Sequence, residues 1–218
     1  MSRSSIVQRI VADGAVAVIR ADNPDKLKHI IDALRKGGMS AIEVTMTVPR
    51  ALEIIEATAR SLGDEIVLGV GSVLDAMTAR MAINAGARYV VCPVFKPEIV
   101  ETAHRYDLPV MPGCFTPTEI LAAHEAGADV VKVFPADILG MPFFKAVKAP
   151  MPHLQMMPTG GVTLTNAGDW LKAGACAVGI GSALLDSKAI AEGRYSVLTE
   201  NARILLDTIA ASRSATSD

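Results

Sequence analysis

Short apolar segments recur along the chain, and the residues between them have the periodicity of amphipathic helices. Four of these segments share one design, in which a helical stretch ends on a glycine and an apolar strand follows within a few residues. Glycine is suited to the left-handed conformation that ends many helices. The four stretches are LRKGGMSAIEV (34–44), INAGARYVVCP (83–93), HEAGADVVKVF (124–134) and LKAGACAVGIG (171–181).

Applied to the whole chain, this helix-then-strand pattern predicts eight strands with helices between them. Strands that are apolar on both faces and alternate with helices indicate a parallel sheet covered by helices, and eight such units indicate a closed barrel. An open doubly wound sheet is the alternative, but no GxGxxG-type loop follows the first strand. The predicted strands lie near residues 15–19, 41–45, 66–70, 89–92, 109–111, 130–134, 155–158 and 176–180.

The predicted fold is therefore α/β, a single (β/α)8 TIM barrel with an extra N-terminal helix. No linker or shift in composition divides the 218 residues, so we expect one domain spanning 1–218. Within it, residues 1–13 are expected to form the N-terminal helix and residues 213–218 a disordered tail.

Composition narrows the possible partners. The formal net charge is −2 and the basic residues are scattered, which argues against nucleic acid and favours small ligands. Half of the residues are hydrophobic, yet no apolar run approaches the roughly 18 residues of a membrane helix, so an oligomer interface is expected instead.

Arg9 and Asp13 interrupt the apolar residues of the N-terminal segment, so it does not resemble a secretory signal and a cytoplasmic location is predicted. The three cysteines form no CxxC pair and are interpreted as reduced thiols.

Two of the predicted strands each contain one charged residue, Glu43 in AIEVT and Lys132 in VVKVF. A buried charge costs several kcal/mol unless it is paired or neutralised. These are the second and sixth strands, which face each other across an eight-stranded barrel, and active sites lie at the carboxyl ends of barrel strands. Glu43 and Lys132 are therefore expected to converge on the barrel axis, as a structural ion pair or as a catalytic pair.

As a catalytic pair, they have the groups that aldol chemistry requires. The neutral amine of a desolvated lysine attacks a carbonyl to form a Schiff base, and the protonated imine accepts electrons from a carbon–carbon bond two atoms away. A nearby carboxylate moves the protons. A metal site would instead need histidines and carboxylates at the strand ends, whereas the histidines fall in helical segments or a Pro-rich loop. The pair thus predicts a reaction without a metal or other cofactor.

Glycine-rich segments follow the last two predicted strands, PTGGV (158–162) and GIGSALL (179–185). Barrels commonly bind phosphate at these two loops through backbone N–H groups and the start of a short helix. Gly181 lets the backbone approach an anion, and Ser182 can cap such a helix and donate its hydroxyl. Other polar residues at the strand ends are Arg20, Thr45 and Ser72.

The chain resembles the 2-keto-3-deoxy-6-phosphogluconate (KDPG) aldolase family, which includes the 4-hydroxy-2-oxoglutarate aldolases. The likeness runs from AVAVIRADNPD to VGIGSAL, and the order IEVT, KVFPA, PTGG is its most specific part. It implies a class I aldolase that reversibly cleaves 2-keto-3-deoxy-6-phosphogluconate to pyruvate and glyceraldehyde 3-phosphate. It further implies activity on 4-hydroxy-2-oxoglutarate, a metal-free site and a homotrimer.

The resemblance also implies a role for individual residues. Lys132 is expected to form the Schiff base, and Glu43 to act as the general acid and base. The phosphate would bind at Thr159, Gly160, Gly161 and Ser182, the pyruvyl carboxylate near Ser72, and the imine against Pro93 and Phe134.

The sequence departs from the family pattern at two positions. Ser72 stands where many relatives have threonine. Thr47 stands where many have an arginine that holds the substrate carboxylate. We expect Arg20 to take over that function, with Arg50 as second choice.

Three alternatives stay open at this stage. The first is a 2-keto-3-deoxy-6-phosphogalactonate aldolase. The second is a phosphosugar isomerase or epimerase, in which Glu43 is the base and Lys132 stabilises an enolate without a covalent adduct. The third is a sugar-phosphate-binding subunit whose Glu43–Lys132 pair is structural.

Overall fold

The computed structural model describes residues 1–20 and 24–214. Within these ranges the chain alternates parallel strands and helices. The strands are β1 (Ala15–Ile19), β2 (Ala41–Thr45), β3 (Val67–Gly71), β4 (Val90–Val91), β5 (Val110–Met111), β6 (Gly113–Cys114), β7 (Val131–Val133), β8 (Met156–Pro158) and β9 (Val178–Ile180). The α-helices are α1 (Arg3–Asp13), α2 (Pro24–Lys36), α3 (Ala51–Leu62), α4 (Ala76–Asn84), α5 (Pro97–His104), α6 (Pro117–Glu125), α7 (Ala136–Lys148), α8 (Ala167–Lys172), α9 (Ser187–Ala191) and α10 (Ser196–Ser214), and a 3-10 helix spans Gly63–Glu65.

The strands form two sheets in which every pairing is parallel. One has the order β5-β4-β3-β2-β1-β9 and the other the order β6-β7-β8. The predicted strand near 109–111 corresponds to β5, and a further strand, β6, follows Pro112, which has no N–H to donate to a ladder. At their other edges the sheets are connected by one parallel bridge between Thr159 and Gly179. The predicted α/β fold with parallel strands is confirmed.

Successive residues of each strand point to opposite sides, and this alternation sorts the core into two clusters. On β2, Ile42 and Val44 pack in the cluster that includes the surrounding helices. Ala41, on the opposite side, belongs to a second cluster, to which Glu43 and Thr45 point by the same alternation. We call this second set the inner cluster; its members are Ile6, Ile10, Val16, Ala41, Val67, Tyr89, Val91, Leu108, Met111, Val130, Met157 and Ala177.

Helix α1 packs onto the amino-terminal ends of the strands. Ser2 caps its start by accepting a hydrogen bond from the Ser5 N–H (3.3 Å), and Gly14 ends it in the left-handed conformation. Its buried side chains, Ile6 and Ile10, belong to the inner cluster together with Val16, Ala41 and Val67 from the starts of β1, β2 and β3. The amino-terminal end of the inner cluster is therefore filled by apolar side chains.

The C-terminal helix extends further than predicted. Arg213 and Ser214, expected to begin a disordered tail, form the end of α10. The Arg213 guanidinium donates hydrogen bonds to the backbone carbonyls of Val11 (2.5 Å) and Ala12, which holds the last turn against α1. The rest of the predicted tail, 215–218, lies outside the described residues. Across the ranges given above, none of the helices is both long and apolar enough for a membrane span.

Candidate active site

Lys132 lies at the centre of β7, between two outward-facing valines of the core. Its strand neighbours in register are Gly113 on β6 and Met157 on β8, and the backbone N–H donates to the Pro112 carbonyl (2.9 Å). The side chain is only 4% exposed. Its Nζ lies 4.9 Å from the centroid of the Phe134 ring, so the amine is held beside an aromatic face and away from bulk water.

Glu43 occupies the equivalent central position of β2 and is 1% exposed. The neighbouring strand makes room for it, because a Cβ at Gly71 would lie 1.7 Å from the Glu43 Oε1. Burial raises the pKa of the Glu43 carboxyl, while the positive charges of Lys132 and Arg20 lower it. A carboxyl group with a raised pKa keeps its proton to higher pH than an exposed one, which suits a group that must both accept and return a proton.

Glu43 and Lys132 influence each other electrostatically but do not touch. No salt bridge within 4.0 Å joins either side chain to any residue that the structure describes. A buried pair that only neutralised itself would be expected to close to hydrogen-bonding distance, since the attraction must offset two desolvation penalties. The separation favours a pair that acts on a molecule bound between them.

Next to this pair is a cavity of about 330 Å³ that brings together many of the predicted site residues. Thr159 is 6% exposed, and its hydroxyl finds no hydrogen-bond partner among the described residues. An unpartnered buried hydroxyl beside a cavity is available to a ligand. The lining residues are Val18, Arg20, Phe134, Thr159, Gly160, Gly181, Ser182, Leu185 and Ser187.

The two glycines after Thr159 are required by the backbone. Gly160 and Gly161 have φ of 102° and 71°, and a Cβ at either would approach Asp137 at the start of α7 to 2.9 or 2.8 Å. Gly160 lines the cavity, whereas Gly161 is exposed next to Asp137, and its carbonyl accepts a hydrogen bond from the Asn166 side-chain amide (2.9 Å). Gly161 therefore shapes the loop instead of lining the cavity.

The loop after β9 differs in one detail from the expectation. Instead of a short helix capped by Ser182, residues 181–185 form a single turn in which Leu184 and Leu185 donate to the Gly181 carbonyl (3.0 Å each). Ser182 is exposed at the start of this turn and lines the cavity. Its hydroxyl is thus open to the cavity and does not cap a helix.

A second group of predicted residues follows β2, β3 and β4 and lies outside the lining of that cavity. Thr45 is fully buried, and its hydroxyl lies 2.7 Å from that of Thr47. Ser72 follows β3 in the left-handed conformation (φ 58°). Pro93 is half-buried after β4. Its carbonyl oxygen is so close to Gly113 that a Cβ added at Gly113 would lie 2.2 Å from that oxygen. These residues extend the polar region beyond Glu43, on the side away from Thr159.

The two candidate arginines occupy different places. Arg20 is exposed, lines the cavity with Thr159 and Ser182, and is close enough to lower the pKa of Glu43. Arg50 precedes α3, is mostly exposed, and donates through Nε to the Glu53 carboxylate (2.8 Å). The structure therefore brings Arg20, and not Arg50, to the cavity.

Sequence reasoning missed several residues of this region. Val18, Leu185 and Ser187 line the cavity, and Tyr89 lies beneath Glu43 in the inner cluster. Val18 could have been found from alternation, because it lies two residues after Val16 on the inward face of β1.

All three cysteines are free thiols, as the sequence predicts. Burial raises the pKa of the Cys92 and Cys114 thiols to about 12 and that of Cys176 to about 11. Thiols with such pKa values are not nucleophiles at neutral pH. In the described ranges, no cluster of three or more His, Cys, Asp or Glu side chains is placed to hold a metal ion.

A lysine and a glutamate, both buried on parallel strands, together with a cavity lined by hydroxyl groups and Arg20, supply the groups that aldol chemistry requires. Comparison with known proteins identifies the family. Residues 6–200 match the family described as KDPG and KHG aldolase, so the chain belongs to that family and is an enzyme, a lyase.

Individual relatives extend over most of the chain. The 2-dehydro-3-deoxy-phosphogluconate aldolase of Haemophilus influenzae is 32% identical over 94% of this chain and 96% of its own. The 2-dehydro-3-deoxy-6-phosphogalactonate aldolase of Escherichia coli K12 is 33% identical over 78% of this chain and 83% of its own. The KDPG aldolase of Legionella pneumophila, solved with pyruvate captured as a covalent carbinolamine, has a TM-score of 0.85 at 26% identity and covers 92% of this chain and 97% of that one.

Proposed function

We propose that the chain is a class I aldolase that cleaves 2-keto-3-deoxy-6-phosphogluconate to pyruvate and glyceraldehyde 3-phosphate through a Schiff base on Lys132. One observation carries the proposal: Lys132 and Glu43 are both buried and not joined as an ion pair, while Phe134 beside the Lys132 amine and Arg20 near Glu43 line one cavity with the Thr159 and Ser182 hydroxyls. The covalent carbinolamine in the similar Legionella pneumophila structure supports the same chemistry.

We also infer that the two sheets are halves of a single (β/α)8 barrel. In this interpretation β5 and β6 are one strand interrupted at Pro112, and the Thr159–Gly179 bridge joins β8 to β9. The hydrogen bond from Cys176 N–H to the Met156 carbonyl (2.9 Å) supports that junction. Such a ring places Lys132 and Glu43 on opposite walls.

The proposed reaction begins at the substrate ketone. The neutral Lys132 amine attacks C2, and Glu43 in its protonated form donates a proton to the carbinolamine hydroxyl, which leaves as water and gives a protonated imine. The Glu43 carboxylate then takes the proton from the C4 hydroxyl, the C3–C4 bond breaks, and its electron pair moves into the imine to form an enamine. Glyceraldehyde 3-phosphate leaves and Glu43 returns its proton to C3. Water then adds to the protonated imine, one proton goes back to Glu43, and pyruvate leaves the neutral Lys132 amine. Atoms and electrons balance without a cofactor.

The cavity sets the orientation of the substrate. A phosphate there would meet the Thr159 and Ser182 hydroxyls, the backbone of Gly160 and Gly181, and the positive charge of Arg20. The substrate carboxylate would then lie towards Thr45, Thr47 and Ser72. Arg20 thereby acts on the phosphate in this proposal, and the carboxylate is held by hydroxyl groups.

Covalent trapping tests the proposal. The protein is incubated with pyruvate and borohydride and then digested, and the mass of the peptide that contains Lys132 is measured by mass spectrometry. We expect a reduced pyruvyl adduct on this peptide and none on the peptide of exposed Lys145, which is the internal control. An isomerase or epimerase, or a binding subunit, gives no adduct at Lys132, and that result would overturn the proposal.

The galactonate-derived substrate is the second candidate, because a relative with that name is as similar as the phosphogluconate aldolases. The two substrates differ only in configuration at C4, next to the oxygen that Glu43 deprotonates. Comparing kcat/KM for the two epimers decides between them. The same assay with 4-hydroxy-2-oxoglutarate, which has no phosphate, measures how much phosphate binding in the cavity contributes to kcat/KM.

We further propose that the chain forms a homotrimer. Exposed apolar side chains are concentrated on and beside α4, with Met77 75% exposed. Several exposed apolar side chains close together in the chain favour a subunit interface on this side of the molecule. The group comprises Leu74, Met77, Met81 and Val94. Light scattering should give three times the subunit mass of 22.9 kDa, and Met77→Glu with Met81→Glu should reduce it to the monomer.

A further inference from the structure

Tyr89 is a fully buried tyrosine that the chemistry above does not use. It lies immediately before β4, and its ring belongs to the inner cluster. Its hydroxyl has no hydrogen-bond partner within the described part of the chain. A hydroxyl buried in this way destabilises a fold unless something bonds it, and phenylalanine would fill the same space without that cost.

The hydroxyl end of the ring points towards Glu43. A Cβ at Gly69 would lie 2.2–2.4 Å from Cζ, Cε2 and Cε1 of Tyr89, and Cζ carries the hydroxyl. Gly69 is the register partner of Glu43 on the adjacent strand. Two residues further along the same face, Gly71 leaves the space that the Glu43 carboxyl occupies. The phenol and the carboxyl therefore lie over neighbouring glycines on one face of β3.

The charges around Glu43 define what the phenol can do. Lys132 approaches from β7 and Arg20 from the end of β1, and both favour the carboxylate, whereas burial opposes it. The Cys92 thiol, after β4, is neutral because burial raises its pKa to about 12. Burial and the nearby Glu43 charge raise the pKa of the Tyr89 phenol well above its ordinary value, so it remains a hydrogen-bond donor.

We propose that Tyr89 is a positioning residue for Glu43: its hydroxyl donates a hydrogen bond to the carboxylate, directly or through one bound water. The inference rests on the role of Glu43 in the proposed function. The bond forms when Glu43 is ionised, so it stabilises the form that accepts the C4 proton and holds it over Gly71. Tyr89 does not touch the substrate in this arrangement and acts only through Glu43.

Tyr89→Phe keeps the ring and removes the hydroxyl. We expect kcat for cleavage to fall about tenfold with little change in KM. The acid side of the pH–kcat profile should move to higher pH, because losing a donor disfavours the carboxylate. Tyr106→Phe makes the same chemical change at an exposed site and should leave both quantities unchanged. If the pH–kcat profile of Tyr89→Phe has the same acid limb as that of the wild type, the proposal is overturned, whether or not the free energy of unfolding changes.

Coupling to Glu43 gives a second test. In a Glu43→Gln background, Tyr89→Phe should lower kcat by less than about twofold, because the partner of the hydroxyl has gone. A full tenfold loss of kcat in that background would show that Tyr89 does not act through Glu43.

Pyruvate trapping on the same preparations separates the role of Tyr89 from the proposed function. A wild-type protein that does not trap pyruvate contradicts the proposed function, whereas trapping with an unmoved pH profile contradicts only the role of Tyr89.

Discussion

The inward-facing side chains at the amino-terminal ends of the strands differ in kind from those at the carboxyl ends. Both sets point inward through the same alternation of residues along each strand. At the amino-terminal end, Val16, Ala41 and Val67 pack with Ile6 and Ile10 of α1 in the apolar inner cluster. Two residues further along β2, the same face presents the buried carboxyl of Glu43. One end thus excludes water to stabilise the fold, and the other excludes it to alter the chemistry of ionisable groups.

This contrast implies that the two ends respond differently to substitution. Changes at the carboxyl end should alter turnover with little loss of stability. Changes at the amino-terminal end should do the reverse. The following variants test that division, in order of decreasing effect on activity.

Lys132→Ala should have the largest effect, because it removes the nucleophile. We expect pyruvate release, followed with a coupled dehydrogenase, to fall by roughly 10³-fold or more. Lys145→Ala changes a lysine on the exposed side of α7 and should keep wild-type activity. Full activity in Lys132→Ala would show that the reaction does not proceed through this amine.

Glu43→Gln keeps the shape of the side chain but cannot accept a proton. We expect kcat to fall by roughly 10²-fold or more, with pyruvate still trapped on Lys132 at a reduced rate. Glu56→Gln, in the exposed pair with Arg60, is the matched control and should have no effect. Loss of less than a few-fold would assign proton transfer to another group.

Gly71→Ala should displace Glu43 without changing its chemistry. The added Cβ would lie 1.7 Å from the Glu43 Oε1, so the carboxyl must move. We expect kcat to fall about tenfold to a hundredfold. The substitution should have little further effect in a Glu43→Gln background, and an additive loss there would indicate a wider distortion of β3.

Ile10→Ala tests the opposite end. Removing a fully buried side chain from the inner cluster should lower the free energy of unfolding by about 2–5 kcal/mol. Because Ile10 is remote from the polar groups, kcat at 25 °C should stay within about twofold of wild type. Urea denaturation and steady-state kinetics measure the two quantities, and a large loss of kcat in the folded variant would contradict the division between the ends.

The pH dependence of stability should reveal the cost of burying Glu43. Its pKa in the folded chain lies above the ordinary value of 4.5, so the folded state retains a proton that the unfolded state has released. The contribution of Glu43 to stability is therefore fully present below pH 4.5 and declines as pH rises through the folded-state pKa. Glu43→Gln lacks this decline. The difference in unfolding free energy, Glu43→Gln minus wild type, should therefore increase with pH. If the two plots of unfolding free energy against pH run parallel, the raised pKa is contradicted.

Much of the fold and part of the site could be predicted from local sequence. Glu43 and Lys132 are conspicuous because each is a single charge in an apolar strand, and the glycine-ended helices give the order of elements. The division at Pro112 was also visible in principle, since proline cannot donate to a ladder.

The remaining features depend on contacts between distant segments. In the sequence, Tyr89 is one apolar strand residue among several, and only its contact with Gly69 in the fold distinguishes it. Gly161 was expected at the phosphate, but in the fold it is exposed next to Asp137 and does not line the cavity. The position of Arg20 relative to Thr159 likewise requires the three-dimensional arrangement, because the sequence does not specify side-chain direction in a loop.

The bond between Arg213 and the carbonyls of Val11 and Ala12 joins residues about 200 positions apart. Carbonyl groups at the end of a helix have no partner within that helix, so these depend on an outside donor. During synthesis, that donor leaves the ribosome after β1 to β9 have been made. The first helix therefore emerges with its final turn unsecured, and the hydrogen bonds from Arg213 form only after the strands of both sheets have been synthesised.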